Sequence, residues 1–252
     1  MRLKIIACEV FYREVCLGVA LSPHTVDLEF LPKDAHDKSA VLRAEIQKRI
    51  DDTPEDSYDA ILLGYGLCGN GTVGLVARHT PLVLPRAHDC CTLFLGSRQA
   101  FRDHFASNPS RPYSSLGYME RGEGYLYSSD LRQMLGLDRS YEEYVELYGE
   151  ENAQYILETL SPKLDLEHHV DKVVFIEMPE TEHLGWGDKF RKWAEADGRE
   201  FEYLYGNSRL LKNLINGQWD PAEFLIVEPG YVVEGVYDWD KICRTEKVEG
   251  RE

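Results

Sequence analysis

Short apolar runs alternate along the first half of the chain with stretches of helical periodicity. Four runs have the length and composition of strands: Leu3–Cys8, Val26–Leu31, Ala60–Leu63 and Leu82–Leu84. The third is apolar at every position, as in the middle of a parallel sheet, whereas the second alternates with acidic residues and indicates a half-buried, edge-side strand. Helical spacing predicts helices over Glu9–Leu21, Ala40–Ile50, Thr72–Arg78 and His88–Phe105.

Residues 172–234 repeat this plan. The pattern predicts strands over Val173–Met178, Phe201–Tyr205 and Phe224–Val227, separated by helices over Asp188–Ala196 and Ser208–Ile215. Alternating strands and helices imply parallel sheets with right-handed crossovers. We therefore predict an α/β fold with two Rossmann-like parallel-sheet halves of similar βαβαβ plan.

The segment between the halves has a different character. Residues 107–128 are rich in tyrosine and have little periodicity, and residues 129–160 have a helical pattern. Long loops inside a compact domain are usually functional, often as lids. We predict an N-terminal α/β half over residues 1–106, a tyrosine-rich loop and helical insertion over 107–170, and a C-terminal α/β half over 171–252, with a ligand cleft between the halves.

The charge balance excludes one class of partner. The chain of 252 residues has 44 acidic and 28 basic residues, for a formal net charge of −16. This acidity argues against nucleic-acid binding, which needs clustered Lys and Arg. No apolar run reaches the roughly 18 residues of a membrane span, and the first residues lack the apolar core of a secretion signal. We expect a cytoplasmic protein that binds neither nucleic acid nor membrane.

Three of the six cysteines follow predicted strands. Cys8 ends the first run, Cys68 and Cys90 lie in the segments that follow the third and fourth runs, and His88 lies two residues before Cys90. In open α/β sheets, ligands bind beyond the carboxyl ends of the strands. We therefore expect these four side chains to form one cluster. In a reducing compartment cysteines that form no disulfides are core residues, catalytic thiols or metal ligands.

A metal centre is the first interpretation of this cluster. Thiolates and imidazole together favour zinc, and we rank iron or cobalt, including the cobalt of a corrinoid, after it. Four protein ligands would make a structural site, and three with an open position a catalytic one. Asp89 or Glu9 could orient a ligand from outside the first coordination sphere. Buried cysteines without a role, or a metal-free thiolate with His88 as base and Asp89 as its orienting group, are the alternatives.

The glycine-rich run after the third strand is a candidate ligand-binding turn. Gly64, Gly66 and Gly69 have the spacing of a dinucleotide-binding turn, and Asn70 follows them. The acidic residue that such a site needs further along is replaced by Arg86 and His88, which disfavours a nicotinamide or flavin. Arg86 could clamp a carboxylate or phosphate, or form an ordinary surface ion pair.

Three motifs carry a resemblance to a known family. Ala7-Cys8-Glu9, the run Gly64–Gly71, and Pro85–Cys90 with Leu95-Gly96-Ser97 resemble the DUF1638 family, over most of the chain. The resemblance implies a soluble bacterial or archaeal protein, often encoded near corrinoid-dependent methyltransferases of one-carbon metabolism. It supplies no established activity. Gly117–Glu120 stands where many members have a more apolar run, which weakens the expected lid.

Together these features predict a metal-binding thiolate protein of one-carbon or methyl-transfer metabolism. It would act on a small molecule as an enzyme, such as a metal-dependent transferase, or as an accessory factor, with a methyltransferase or corrinoid protein as partner. A metal-free cysteine-nucleophile enzyme and a non-catalytic binding or maturation module with a structural metal site remain as alternatives.

Overall fold

A computed structural model describes residues 1–33, 39–106, 111–121, 145, 150, 172–236 and 241–248. The chain divides into two compact units. The first unit comprises Met1–Ser107, Met178–Thr181 and Tyr205–Glu252, and the second comprises Asn108–Glu177 and Glu182–Leu204.

The described strands and helices follow one another in mixed order. The strands are β1 (Arg2–Cys8), β2 (Thr25–Leu31), β3 (Ala60–Gly64), β4 (Leu82–Pro85), β5 (Tyr113–Ser115), β6 (Lys172–Glu177), β7 (Glu200–Tyr205), β8 (Phe224–Val227), β9 (Tyr231–Gly235) and β10 (Cys243–Lys247). The α-helices are α1 (Tyr12–Leu21), α2 (Ser39–Asp51), α3 (Cys90–Leu95), α4 (Arg98–Phe105), α5 (Leu116–Glu120), α6 (Trp186–Ala196) and α7 (Arg209–Ile215), and 3₁₀ turns cover Glu9–Phe11 and Glu182–Leu184.

A five-stranded sheet organises the first unit, in the order β2-β1-β3-β4-β8. Strands β1 to β4 run parallel to one another, and β2 lies at the edge as its alternating pattern predicts. Every residue of the central strand β3 is buried. Helix α2 buries Leu42, Ile46 and Ile50, which recur at the four-residue spacing of one helix face. The predicted α/β class is therefore confirmed.

Strand β8 does not complete a separate second half. It pairs antiparallel with β4, with Leu82 opposite Val227 and Pro85 opposite Phe224. The repeat in the sequence predicts Phe224–Val227 as the third strand of the second half, but the strand extends the first sheet. A periodicity pattern identifies a strand and does not specify its partner, which is why this pairing is not visible in the sequence.

Two predicted helices are wrong in detail. Residues 72–78 form turns, and this segment bonds to β9 through Gly74 N–H to Val233 O at 2.8 Å and Val233 N–H to Leu75 O at 2.9 Å. The predicted helix His88–Phe105 is two helices, because Gly96 takes a left-handed φ of 76° and ends α3.

The second unit contains a smaller sheet in the order β5-β6-β7, with β5 and β6 parallel. Its core consists of Val173, Phe175, Phe190 and Ala194, where β6 packs against α6. Most of the predicted insertion 107–170, including the helical pattern 129–160 apart from residues 145 and 150, lies outside the described residues. The three-part division of the chain and the cleft between halves stay predictions.

In the part of the chain that the structure describes, no helix has both the length and the apolar character needed to cross a bilayer.

Candidate functional site

The parallel register brings the ends of three strands to one edge of the sheet. Ala7 of β1 lies opposite Gly64 of β3, so Cys8 and Tyr65 follow side by side at that edge. Beyond the neighbouring strands β3 and β4 the pairing continues in the loops. Leu67 N–H donates to Ala87 O at 2.9 Å, and Cys68 N–H donates to His88 O at 3.0 Å. These bonds hold the loop of Cys68 against the segment that leads to Cys90.

The three predicted cysteines lie together as a result. The Sγ atoms of Cys68 and Cys90 are 3.8 Å apart. The pKa of the Cys90 thiol is raised well above its usual value. The largest cause is its hydrogen bond to Cys68, followed by its hydrogen bond to Cys8 and by burial. Cys8 and Cys90 are buried, whereas Cys68 is partly exposed. We call Cys8, Cys68 and Cys90 the thiol cluster; their role as metal ligands stays a prediction.

Cys68 is held in an unusual backbone conformation. Its φ is 47°, and the next two residues continue in the left-handed region, Gly69 at 61° and Asn70 at 68°. Left-handed backbone costs a non-glycine residue roughly 1–2 kcal/mol. Gly71 N–H donates to Cys68 O at 3.1 Å, and Arg43 Nη2 donates to Asn70 O at 3.0 Å. Strain of this kind clusters at functional sites because the surroundings must enforce it, which suits a residue whose thiol needs a fixed direction.

The glycines of this run serve close backbone approach. A Cβ on Gly64 would lie 2.6 Å from Ala7 Cβ, and one on Gly66 would lie 2.7 Å from Asp89 N and 2.9 Å from Ala87 O. A Cβ on Gly69 would meet nothing within 4 Å. Gly64 and Gly66 therefore let neighbouring chain segments pack together, and the cofactor-binding role of Gly64, Gly66, Gly69 and Asn70 stays a prediction.

Asp89 joins the thiol cluster to helix α3. It is the N-cap residue of α3, and its Oδ1 accepts from Thr92 N–H at 3.2 Å. Burial raises the pKa of the Asp89 carboxyl to about 6, Cys68 adds to the rise, and hydrogen bonds from Thr92 and Cys91 oppose it. A capping carboxylate fixes the start of the helix and hence the position of Cys90, its first residue.

His88 faces helix α4. Its ring centroid lies 5.9 Å from that of Phe101. Burial lowers the pKa of His88, and the nearby cations Arg98 and Arg102 lower it further. An imidazole held neutral can coordinate a metal, but these contacts do not place it among the sulfurs, so its roles as ligand or base stay predictions.

Arg86 and Glu9 are engaged elsewhere. Arg86 Nε donates to Pro221 O at 3.0 Å, and its Nη1 donates to Lys241 O at 2.8 Å and to Cys243 O. The guanidinium thus anchors the C-terminal segment, a role that the sequence did not suggest, and an anion clamp stays a prediction. Glu9 Oε1 accepts from Lys33 N–H at 2.9 Å.

Tyr65 was missed by the reading of the sequence. Its side chain is fully buried. The pKa of the Tyr65 phenol is raised well above its usual value. Burial is the largest cause, and the charges of Cys8, Cys90 and Cys68 contribute in that order. The phenol is therefore close enough to all three sulfurs to respond to their ionisation. The signal available in the sequence was its position, since parallel pairing of β1 with β3 sets it beside Cys8.

Among the described residues, no group of three or more His, Cys, Asp and Glu side chains is already spaced to hold a metal ion. The thiol cluster has the contacts expected of protonated thiols that hydrogen-bond to one another. Binding an ion would require the three thiols to rearrange around it, starting from a Cys68–Cys90 sulfur separation of 3.8 Å and a hydrogen bond between Cys8 and Cys90.

Comparison with curated proteins and with solved structures found no similar chain. A family profile described as "Protein of unknown function (DUF1638)" matches residues 30–215, a span that includes Cys68, His88 and Cys90 but begins after Cys8. Because this match covers well over half of the sequence, the chain belongs to the DUF1638 family.

Proposed function

We propose that the thiol cluster binds a zinc ion through Cys8, Cys68 and Cys90 and that the ion presents an open position to a small molecule. The observation that carries the proposal is the meeting of three cysteines from separate chain segments at the carboxyl edge of a parallel sheet. Ligand sites in open α/β sheets lie at this edge.

The sulfur spacing is compatible with zinc. Tetrahedral coordination with Zn–S bonds of about 2.3 Å sets two ligand sulfurs about 3.8 Å apart. The Sγ atoms of Cys68 and Cys90 are already 3.8 Å apart. Two of the three ligands therefore need little movement, and Cys8, which hydrogen-bonds to Cys90, would supply the third.

The fourth position decides between a catalytic and a structural site. If His88 turned from helix α4 to the ion, four protein ligands would close the coordination sphere. The ring contact of His88 with Phe101 of α4 favours an open position. A bound zinc ion lowers the pKa of a coordinated thiol or water and makes it a nucleophile at neutral pH.

The surrounding residues have separate tasks in this proposal. Asp89 fixes the first turn of α3 and so holds Cys90 in place. Tyr65 fills the space beside the sulfurs and keeps water from that side of the ion. The left-handed turn at Cys68 leaves its thiol partly exposed, which gives a ligand access to the ion.

The reaction class that we propose is transfer of a methyl or other one-carbon group to or from a thiol. One support is the association with corrinoid-dependent methyltransferases that the family resemblance implies. The other is that zinc activates thiols by stabilising the thiolate. This step rests on association and not on the geometry of the site.

Elemental analysis of the purified protein tests the metal. We expect about one zinc per chain in the wild type and a large loss in Cys8→Ser, Cys68→Ser and Cys90→Ser. Cys91→Ser is the matched control, because Cys91 is buried in the same helix as Cys90 and outside the cluster. Wild-type protein without metal after growth and reconstitution with zinc, iron and cobalt would overturn the proposal.

A metal-free cysteine nucleophile is the second candidate, and the partial exposure of Cys68 favours it. A nucleophile needs a thiolate, and an exposed cysteine is accessible to a substrate. This candidate predicts rapid alkylation of Cys68 by iodoacetamide in protein that holds no metal, whereas the zinc proposal predicts that bound metal protects it.

A further inference from the structure

The Cys68–Cys90 pair of the thiol cluster has the arrangement of a latent disulfide. Cys68 and Cys90 are separated by 22 residues in the chain, but their sulfurs are 3.8 Å apart. A disulfide has an S–S bond of about 2.05 Å, so the sulfurs would have to approach by roughly 1.8 Å. The loop bonds from Leu67 and Cys68 to Ala87 and His88 keep the two segments adjacent during this movement.

The two partners differ in the way that an oxidisable pair requires. Cys68 is partly exposed on a turn with open space beside Gly69, whereas Cys90 is buried at the start of α3. Soluble oxidants therefore reach Cys68 first, and Cys90 lies behind it as the resolving thiol.

We propose that Cys68 and Cys90 form a reversible disulfide on exposure to peroxide, and that this reaction switches off metal binding. The Cys68 thiolate attacks hydrogen peroxide and becomes a sulfenic acid, and hydroxide leaves. The Cys90 thiol then displaces the sulfenic hydroxyl group. An S–S bond forms, one water molecule is released, and the two cysteines have lost two electrons to the peroxide.

Metal release follows from the ligand count. The disulfide removes two of the three thiolates and leaves Cys8, and one thiolate does not hold zinc firmly. This part of the inference rests on the proposed function, whereas formation of the disulfide does not. Reduction by a dithiol restores both ligands.

The strained turn favours exchange between the two states. Cys68 is in a left-handed conformation at a cost of roughly 1–2 kcal/mol, and it has a φ of 47°. Strained or exposed disulfides are more easily reduced than structural ones. The pair is therefore suited to reversible oxidation.

Peptide mapping of the wild-type protein tests the disulfide. Metal-free protein is treated with one to a few equivalents of hydrogen peroxide, alkylated, digested and analysed by mass spectrometry. We expect an intact-mass loss of about 2 Da, for two hydrogens, a linked pair of peptides that contain Cys68 and Cys90, and full reversal by dithiothreitol. We expect the same linked peptides in the control variants Cys16→Ser and Cys91→Ser. We expect no linked peptides in Cys68→Ser.

Three results would overturn the pairing: oxidation of Cys68 to a sulfinic acid without a link, a link between Cys8 and Cys90, or equal reaction at Cys16 or Cys91. Zinc-loaded protein treated in the same way should release one zinc per disulfide to a chromogenic chelator. Disulfide formation without zinc release would overturn the switch. Protein that never binds zinc but forms the disulfide would overturn the proposed function and leave the cross-link standing.

Discussion

The sharpest test of the site's architecture is Gly66→Ala. The new Cβ would lie 2.7 Å from Asp89 N, 2.8 Å from Asp89 Cα and 2.9 Å from Ala87 O. All three neighbours are backbone atoms, so no side chain can rotate away. The two loops would have to separate, and the movement would carry Asp89 and Cys90 away from Cys68.

The expected loss of stability has two parts. Overpacking of this kind costs about 1–3 kcal/mol. The bonds from Leu67 N–H to Ala87 O and from Cys68 N–H to His88 O hold the same loops together, and losing them adds about 1 kcal/mol each. We therefore expect a loss of about 3–5 kcal/mol and a Cys68–Cys90 cross-link that forms at least tenfold more slowly.

Gly69→Ala is the matched control. Gly69 has a φ of 61°, but its added Cβ meets nothing within 4 Å. Only the backbone term remains, about 1–2 kcal/mol, and the loops stay in contact. Urea unfolding followed by circular dichroism gives the stabilities, and peroxide cross-linking gives the loop separation. Equal losses in the two variants, with unchanged cross-linking, would refute the close approach of the loops.

Three further predictions follow from single contacts. Arg86→Leu should lower stability by about 2–4 kcal/mol in thermal unfolding, because it leaves the carbonyls of the C-terminal segment without their charged donor; a change below about 0.5 kcal/mol would contradict the anchor. Burial opposes ionisation of Glu180, but bonds from Lys212 and Ser208 outweigh it and lower its pKa. Because a lowered folded-state pKa stabilises above the unfolded value, Glu180→Gln should cost about 1 kcal/mol at pH 7. The gap to wild type should narrow once the pH falls below the unfolded value of about 4.3, and a gap that stays the same from pH 7 to pH 3 would contradict this. Tyr65→Phe should keep stability within about 1 kcal/mol but shift the sulfur-to-metal absorption bands of cobalt-loaded protein, and an unchanged spectrum would mean that the phenol does not interact with the sulfurs.

Local periodicity was sufficient for most of the first sheet. The strands β1 to β4 and helix α2 follow from apolar runs and helical spacing, because each buries one face or two in the same core. The helix over residues 72–78 failed because β9, more than 150 residues away in the chain, pairs with that segment. Such a contact leaves no mark on local spacing, and tertiary pairing overrides a weak helical preference.

The approximate position of the site was also predictable from the sequence, but its contacts were not. The rule that parallel strands end at one edge brought Cys8, Cys68 and Cys90 together without coordinates. The rule does not give side-chain direction, so it could not indicate that the His88 ring lies against Phe101 of α4. Nor could it identify Arg86 as an anchor, since its acceptors are carbonyls far along the chain.

X-ray absorption at the zinc edge of the zinc-reconstituted protein tests the coordination that we propose for the thiol cluster. We expect three sulfur neighbours at about 2.3 Å and one lighter neighbour at about 2.0 Å, with the sulfur shell reduced in Cys8→Ser. A zinc ion surrounded only by nitrogen and oxygen, or a sulfur shell that is the same in wild type and Cys8→Ser, would contradict it.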